Sequence, residues 1–342
     1  MTTHVHLVGS IGLDSVDEVF KTVGETIGAY IKRCPDGEIG SRRLWVSYQY
    51  PLLRAMAFLD IIGDTAMPGI GLCQLCLKAG VVDADIHFSE LGYVREARTS
   101  YQDFCEARTK GILPATARFQ VCLPTPWAVI GSFVSAQDMS RVLPAYERAM
   151  LREVDRLCAA IPHRDLAMQW DICIEMLQWD GRFPMMPAFP GMTEMFAGQF
   201  ARLGAAVPTE VEMGIHLCYG DFEAKHFVEP LDTTKMVELA NLFIHYSPRP
   251  LTWIHVPVPM ERDDAAYFVP LAKLNRSTNT ELYLGLVHAK DGTDGTLRRM
   301  QAARTTVTDF GIATECGIGR SRTPDMVREI LRVHGETARQ AG

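Results

Sequence analysis

Eight short apolar segments, separated by longer stretches of helical periodicity, are the feature that most limits how this chain can fold. The segments are largely apolar rather than alternating, which is typical of parallel strands buried on both faces. They are His4–Gly9, Ile31–Asp36, Ala117–Pro124, Leu166–Cys173, Glu212–Tyr219, Leu251–Val258, Glu281–Val287 and Phe310–Cys316. Eight strands that alternate with helices predict a (β/α)8 TIM barrel, an α/β fold.

The stretches between these segments have the apolar periodicity of amphipathic helices. The clearest are Asp14–Lys32, Asp138–Ile161, Asp232–Phe243, Arg262–Leu274 and Thr323–Gln340. Thr323, followed by Pro324 at the first helical position, is the best N-cap. Two stretches are too long for loops, Ser41–Thr116 after the second strand and Met176–Val211 after the fourth. We interpret them as insertions that either cover the substrate pocket or serve packing, within one domain spanning residues 1–342.

The composition argues against several partner classes. Lys and Arg total 34 against 41 Asp and Glu, a net charge of −7, so the chain has no overall attraction for nucleic acid or an anionic membrane. No apolar run approaches the roughly 18 residues of a membrane span, and the N-terminus lacks the basic and apolar regions of a secretory signal. The nine cysteines therefore indicate reduced thiols in the cytoplasm, most of them buried.

Two strand ends carry side chains that bind transition metals. His216 and Cys218 are two residues apart at the end of a strand, so both side chains point to the same side. Cys316 ends the last strand in a glycine-rich turn, across the same barrel mouth. His and Cys are preferred ligands of zinc. A core cysteine beside a hydrogen-bonded histidine is the alternative for His216 and Cys218 alone, and the position of Cys316 favours the metal site.

Short motifs stand at the ends of the predicted strands. They are Gly9-Ser-Ile-Gly12, Asp36-Gly-Glu38 followed by Arg42-Arg-Leu-Trp-Val-Ser-Tyr48, Gln169-Trp-Asp171, His216-Leu-Cys-Tyr219, Gly285-Leu-Val-His288 and Glu315-Cys-Gly-Ile-Gly-Arg320. In this order, between about residues 4 and 325, they resemble the catalytic barrel of cobalamin-independent methionine synthase. The chain is similar to the single-barrel members of this family, within the superfamily shared with uroporphyrinogen decarboxylase.

The resemblance implies a catalytic zinc held by His, Cys, Glu and Cys, which activates a thiol for alkyl transfer. His216, Cys218 and Cys316 match three of these ligands. His255 stands where the family has its Glu, which makes it the candidate fourth ligand; the alternative is a histidine that supports the site or contacts substrate. A second imidazole in place of a carboxylate leaves the site neutral rather than negative, so a bound thiol becomes more acidic but less nucleophilic.

The resemblance also implies residues that bind an amino-acid substrate. Ser10, Glu38 and Asp171 match positions that hold the amine and carboxylate of that substrate in the family. Alternatively, Glu38 and Asp171 are structural anions that face Arg42 and Arg43.

Further positions around the mouth match the donor side of the family's site. Trp127 lies where the family stacks its folate, with a core or lid tryptophan as the alternative. His288 and Lys290 lie near the family's proton-donating His and are candidate general acids. Arg320 and Arg322 either bind a substrate carboxylate or cap loop carbonyls.

Other interpretations of the sequence stay open. His4-Val-His6 resembles the opening of metal-dependent barrel hydrolases, although that function leaves the cysteines unexplained; otherwise His6 would line the pocket beside Ser10. A decarboxylase or lyase of the uroporphyrinogen decarboxylase-like superfamily would need arginines but no zinc, and a non-enzymatic binding protein would need neither. Cys73 and Cys76 have redox-motif spacing without the βαβ context, so we expect buried core cysteines.

Taken together, the motifs predict a zinc-dependent methyltransferase, or more generally a thiol alkyltransferase. Its expected partners are a small-molecule thiol and a methyl or alkyl donor. The sequence leaves methyl-folate, a methylated corrinoid protein, an aryl methyl ether and a sulfonium open as the donor.

Overall fold

A curled parallel sheet of seven strands forms the centre of the protein in the computed structural model, which describes residues 3–63 and 71–342. The strands of the described residues are β1 (Arg33–Pro35), β2 (Leu59–Ile61), β3 (Leu75–Leu77), β4 (Arg118–Pro124), β5 (Leu166–Ile172), β6 (Glu212–Leu217), β7 (Trp253–Pro257), β8 (Glu281–Gly285) and β9 (Gly311–Ile312). The large sheet has the order β1-β4-β5-β6-β7-β8-β9, and β2 pairs with β3 in a small antiparallel sheet.

Helices pack around the large sheet. They are α1 (Val16–Ile27), α2 (Tyr50–Arg54), α3 (Tyr93–Thr109), α4 (Pro126–Phe133), α5 (Met139–Ala160), α6 (Ile174–Asp180), α7 (Met192–Ala206), α8 (Thr234–Tyr246), α9 (Ala265–Phe268), α10 (Gly292–Arg304) and α11 (Pro324–Ala341). Short 3₁₀ helices cover Gly28–Tyr30, Gly40–Gln49, Asp83–Asp85, His163–Asp165 and Val269–Lys273. Within the described ranges, no helix is long and apolar enough to cross a bilayer.

The segment before α1 lies between the two edge strands of the large sheet. Val5 forms isolated parallel bridges with Ile31, next to β1, and with Ile312 in β9. The predicted first strand, His4–Gly9, therefore pairs through isolated bridges rather than a regular ladder. The other predicted strands coincide with β1 and β4 to β9, although several end earlier because the chain turns into the loops at the carboxyl end of the sheet.

Most of the predicted amphipathic helices coincide with α1, α5, α8 and α11. The Thr323 hydroxyl accepts the Met326 amide at 3.3 Å, which confirms the predicted cap of α11. The predicted helix Arg262–Leu274 is divided into α9 and a 3₁₀ helix, at a point where Pro270 has no amide hydrogen to donate.

The long segment Ser41–Thr116 folds into additional secondary structure, including a strand pair that the sequence does not indicate. It contains the β2–β3 pair as well as helices α2 and α3, and its residues 64–70 lie outside the described residues. Cys73 and Cys76 are partly exposed rather than buried in the core, which corrects the expectation for them. Trp45 in this segment has a φ of 51° and a ψ of −117°, which is a costly backbone conformation for a residue other than glycine.

The strand register brings predicted site residues into one row. Asp171 of β5 pairs with His216 of β6, and His216 pairs with His255 of β7. Because side chains alternate along a strand, Cys218 points the same way as His216 and lies just beyond the end of β6. The row therefore lies at the carboxyl end of the sheet, where barrel enzymes place their active sites.

Gly214 is required where the ring of Trp253 packs against β6. A Cβ at Gly214 would lie 2.0 Å from Cδ2 of the Trp253 ring, which is fully buried. The ring cannot move away, because the Arg33 guanidinium lies 4.3 Å from its centroid and its Nε1 donates to Gln169 at 3.2 Å.

Replacing Gly214 by alanine should lower the free energy of unfolding by at least about 1–3 kcal/mol, the usual cost of overpacking a core. Urea unfolding followed by circular dichroism measures this change. Gly198→Ala in α7 is the matched control, since its Cβ would meet only the flexible end of Arg202 at 3.2 Å. A Gly214→Ala protein as stable as the wild type would show that the Trp253 ring is not held in this position.

Candidate metal centre

Three of the predicted ligands form a compact group at the carboxyl end of β6. Nitrogen and sulfur atoms of His216, Cys218 and Cys316 lie within 4.8 Å of one another, and all three residues are buried. The two sulfur atoms are 3.5 Å apart. Two sulfurs bound at about 2.3 Å to one tetrahedral zinc would be about 3.8 Å apart, so the thiols fit this ion with little movement.

A chain of hydrogen bonds fixes which nitrogen of His216 is free. The Thr314 carbonyl can only accept, so Nε2 of His255 donates to it at 3.0 Å. Burial lowers the pKa of His255 to about 3, so its Nδ1 carries a lone pair and accepts from Nδ1 of His216 at 2.7 Å. His216 therefore carries its hydrogen on Nδ1, and its Nε2 lone pair, which is buried and has no partner, is free to bind a metal.

The thiols have hydrogen-bond donors directed at them. The Gly220 amide donates to Sγ of Cys218 at 3.2 Å, and Nη2 of Arg320 lies 3.8 Å from Sγ of Cys316. The neighbouring thiol of Cys173 and burial hold the pKa of Cys218 well above its usual range. A divalent cation at this position would reverse that shift, because it stabilises thiolates directly.

The turn that carries Cys316 is held against the first segment of the chain. The Gly319 amide donates to Oγ of Ser10 at 3.3 Å, and a Cβ at Gly317 would lie 2.3 Å from the same oxygen. The glycines after Cys316 thus permit the close approach that places its thiol opposite Cys218. Ser10 is occupied in this contact and also lines the adjoining cavity.

A cavity of about 430 Å³ opens onto the metal group. Its polar lining includes Ser10, Glu38, Asp171, Asp221 and Arg320. Its apolar walls include Leu44, Trp45, Val46, Phe133, Ile174, Leu177, Phe183, Met185, Met186, Phe222 and Phe227. Residues 44–47 of one long segment and Phe183, Met185 and Met186 of the other line this cavity, in the position expected of a cover over a substrate pocket.

Glu38 and Asp171 place two carboxyl groups in this cavity. Burial and the neighbouring Asp171 raise the pKa of Glu38 to about 8, and burial also raises the pKa of Asp171. Arg42 forms its ion pair with Asp36 at 2.8 Å, and its charge only partly offsets the raised pKa of Glu38. The carboxyls therefore hold a proton near neutral pH and would exchange it for a cationic group of a ligand.

The raised pKa of Glu38 makes the stability of the protein depend on pH. The native state keeps a proton that the unfolded chain releases above about pH 4.5, so the free energy of unfolding should fall as the pH rises from about 5 to 8. For one proton the slope approaches about 1.4 kcal/mol per pH unit. Glu38→Gln should flatten this decline in urea titrations at several pH values, and an equally steep decline in the variant would contradict the assignment.

His255 lies behind His216 rather than among the ligand atoms. Both of its ring nitrogens have partners, Nδ1 with His216 and Nε2 with Thr314, and it is outside the compact group. As placed, it orients His216 and does not offer a free lone pair. This placement favours the alternative given for His255, a histidine that supports the site, over a fourth ligand of the metal.

His6 and Trp127 are also placed away from the cavity. Nε2 of His6 is 2.9 Å from Oε1 of Gln169, and the ring packs inside the sheet against Tyr283. It does not join the metal group, which removes support for the hydrolase interpretation. The Trp127 indole donates to Gln178 at 2.7 Å within the core, so it is not placed to stack a ligand in this cavity.

His288 and Lys290 line a second cavity, of about 810 Å³, on the other side of the turn that carries Cys316. Nε2 of His288 donates to the Val258 carbonyl at 2.9 Å, and its Nδ1 lies 3.5 Å from the Glu315 carboxylate. Neither residue faces the cavity at the metal group, so the expected general-acid role does not fit their positions.

The arginines after Cys316 are both engaged. Arg322 forms a two-pronged pair with Asp221 at 2.9 and 3.0 Å. Arg320 donates to the carbonyls of Asp221 and Arg43, and its remaining nitrogen approaches Cys316. Loop capping thus describes their main contacts, while Arg320 also lines the cavity.

The structure adds Cys173, a residue that sequence reasoning did not single out. It lines the cavity at the end of β5, beside Cys218. The signal was present, since Asp171-Ile-Cys173 repeats on β5 the spacing of His216-Leu-Cys218 on β6.

Comparison with solved structures identifies proteins of the same architecture. The B12-independent methionine synthase of Shewanella sp. W3-18-1, solved in complex with selenomethionine, superposes with a TM-score of 0.63 at 14% identity, over 98% of this chain and 99% of that chain. A putative vitamin-B12 independent methionine synthase of Listeria monocytogenes gives 0.58 at 12% identity, over 98% and 99%. The chain shares their fold. No family model and no curated protein sequence matches it.

Proposed function

We propose that this protein is a zinc-dependent transferase that activates a small-molecule thiol as a thiolate for methyl or alkyl transfer. The observation that carries the proposal is the compact group, in which a ring nitrogen of His216 and the sulfurs of Cys218 and Cys316 lie within 4.8 Å of one another, together with the buried, unpartnered Nε2 of His216. The fold shared with methionine synthases agrees with it. We further propose that residues 4–11 complete the sheet as a (β/α)8 barrel, that the chain is one domain and that it acts in the cytoplasm.

Zinc bound to His216, Cys218 and Cys316 would supply a thiolate at neutral pH. The substrate S–H would lose its proton, and the sulfur would attack the alkyl carbon in line. The leaving group would depart with the electron pair of its bond to that carbon and take up a proton, so that no net proton is gained or lost over the whole reaction. Arg320 lies beside the thiols and would offset the added negative charge. We assign no role in this step to His288 or Lys290.

The polar side of the cavity would bind the thiol substrate, and its apolar walls would bind the alkyl donor. Glu38 and Asp171, on the polar side with Ser10, would bind the amine of an amino-acid thiol such as homocysteine. The walls formed by Phe183, Met185 and Phe227 would bind an uncharged apolar donor and exclude water that competes for the alkyl group. An aryl methyl ether fits such walls better than a folate, whose carboxylates need cationic partners.

The test has two steps. Metal analysis of the purified protein should find about one zinc per chain, as a site of this kind requires. The protein is then incubated with homocysteine and either an aryl methyl ether or methyl-folate, and methylated thiol is measured by mass spectrometry. Methyl transfer from the ether supports both proposals, and transfer from methyl-folate alone would keep the transferase but reject the apolar donor. Protein without zinc, and without affinity for added zinc, would overturn the proposal.

A further inference from the structure

Cys173 is placed beside the metal group by the strand register. Ile172 of β5 pairs with Leu217 of β6, and the Cys218 amide donates to the Ile172 carbonyl at 3.0 Å. The next residue on each strand is a cysteine, so Cys173 and Cys218 are neighbours at the carboxyl ends of adjacent parallel strands. Both are more than nine-tenths buried, and both line the same cavity.

The contacts of Cys173 differ from those of a permanent ligand. Its side chain lines the cavity next to the ligand Cys218. It does not belong to the group within which His216, Cys218 and Cys316 all approach one another. Cys173 is thus close to one ligand of the group but outside it.

The three ligands leave one of the four positions of a tetrahedral zinc. In the absence of a substrate, a sulfur ligand suits this ion well, and the walls around the position are largely apolar. Among the described residues that line the cavity, Cys173 supplies a further thiol next to the group.

We propose that Cys173 is an exchangeable fourth ligand of this centre, bound when no substrate is present and released when a substrate thiol enters. The inference rests on the proposed function. In the exchange, the bond between the metal and Sγ of Cys173 breaks and a bond to the substrate sulfur forms. The proton of the substrate S–H passes to Sγ of Cys173, so no proton leaves the site and its charge does not change. Cys173 would thereby accept the substrate's proton, a role that no other described residue of the metal group is placed to take.

Cobalt(II) substitution in the full-length protein tests this, because absorption from sulfur-to-cobalt charge transfer grows with the number of bound thiolates. Wild-type protein should show three thiolates, and Cys173→Ser about two-thirds of that intensity, since two thiolates remain. Cys122→Ser is the control, because Cys122 is a thiol on the neighbouring strand β4 that lines a separate small cavity. Its spectrum should equal that of the wild type.

Addition of 2-mercaptoethanol then distinguishes exchange from simple binding. In the wild type one thiolate replaces another, so the intensity should stay constant and no proton should be released into weakly buffered solution. In Cys173→Ser the added thiol fills an open position, so the intensity should rise to the wild-type level with release of a proton.

A rise of equal size in both proteins would overturn the inference for Cys173 and leave the proposed function intact. Wild-type protein that binds no cobalt or zinc would reject the proposed function itself. Should the serine variant not fold, as judged by circular dichroism, Cys173→Ala and the wild-type titration replace it. A wild-type intensity that increases on thiol addition is sufficient to reject the exchange.

Discussion

Cys218→Ser should abolish stoichiometric zinc binding and thiol-dependent alkyl transfer in a protein that stays folded. A serine hydroxyl does not ionise near neutral pH, so the variant loses one of the anionic ligands of the metal group. The loss in zinc affinity should exceed about 100-fold, because changes to groups that merely support a ligand already cost about 10–100-fold. Cys316→Ser should behave in the same way.

Zinc content after dialysis against a chelator, together with circular dichroism of the chelator-treated proteins, measures this effect. Cys158→Ser in α5 is the matched control, since this half-buried thiol is remote from the group and should leave zinc content unchanged. Full zinc retention by both Cys218→Ser and Cys316→Ser would refute the site. Loss of zinc accompanied by unfolding of the chelator-treated variant would instead show that these thiols serve packing.

The positions of the metal group could be predicted because strand ends are readable from the sequence. Apolar runs ended close to the observed ends of β5, β6 and β7, and the alternation of side chains then placed His216 and Cys218 on one side. Cys316 was identifiable from its glycine-rich turn. The first segment was the exception, because residues 4–11 pair through isolated bridges that a run of apolar residues does not distinguish from a regular strand.

Side-chain partners from distant parts of the chain could not be predicted. The role of His255 depends on the carbonyl of Thr314, 59 residues later, and the placement of Trp127 depends on Gln178. His288 lies one strand from the group in order, yet the turn at Cys316 separates it from the cavity. The partners of these side chains depend on how a loop folds back over the sheet. The residue type and its position on a strand do not predict that path.

His255→Leu should lower zinc affinity by about 10–100-fold without removing a ligand, the usual cost of losing a group that orients a metal-bound histidine. The leucine leaves Nδ1 of His216 without its acceptor, so the hydrogen on that ring can move to Nε2, the nitrogen that must bind the metal. The Thr314 carbonyl also loses its donor, which loosens the turn that carries Cys316. Competition with a chromophoric chelator gives the affinity.

His334→Leu is the matched control, because His334 is likewise a buried histidine whose pKa burial lowers, to about 4, and it lies in α11 away from the group. It should lose stability to a similar degree but keep its zinc affinity. In cobalt-substituted His255→Leu the thiolate absorption should be unchanged, and the bands that report the coordination of the ion should keep their tetrahedral form. Complete loss of metal, or a changed coordination number, would instead make His255 the fourth ligand and exclude Cys173 from that position, because a tetrahedral ion has room for only one of them.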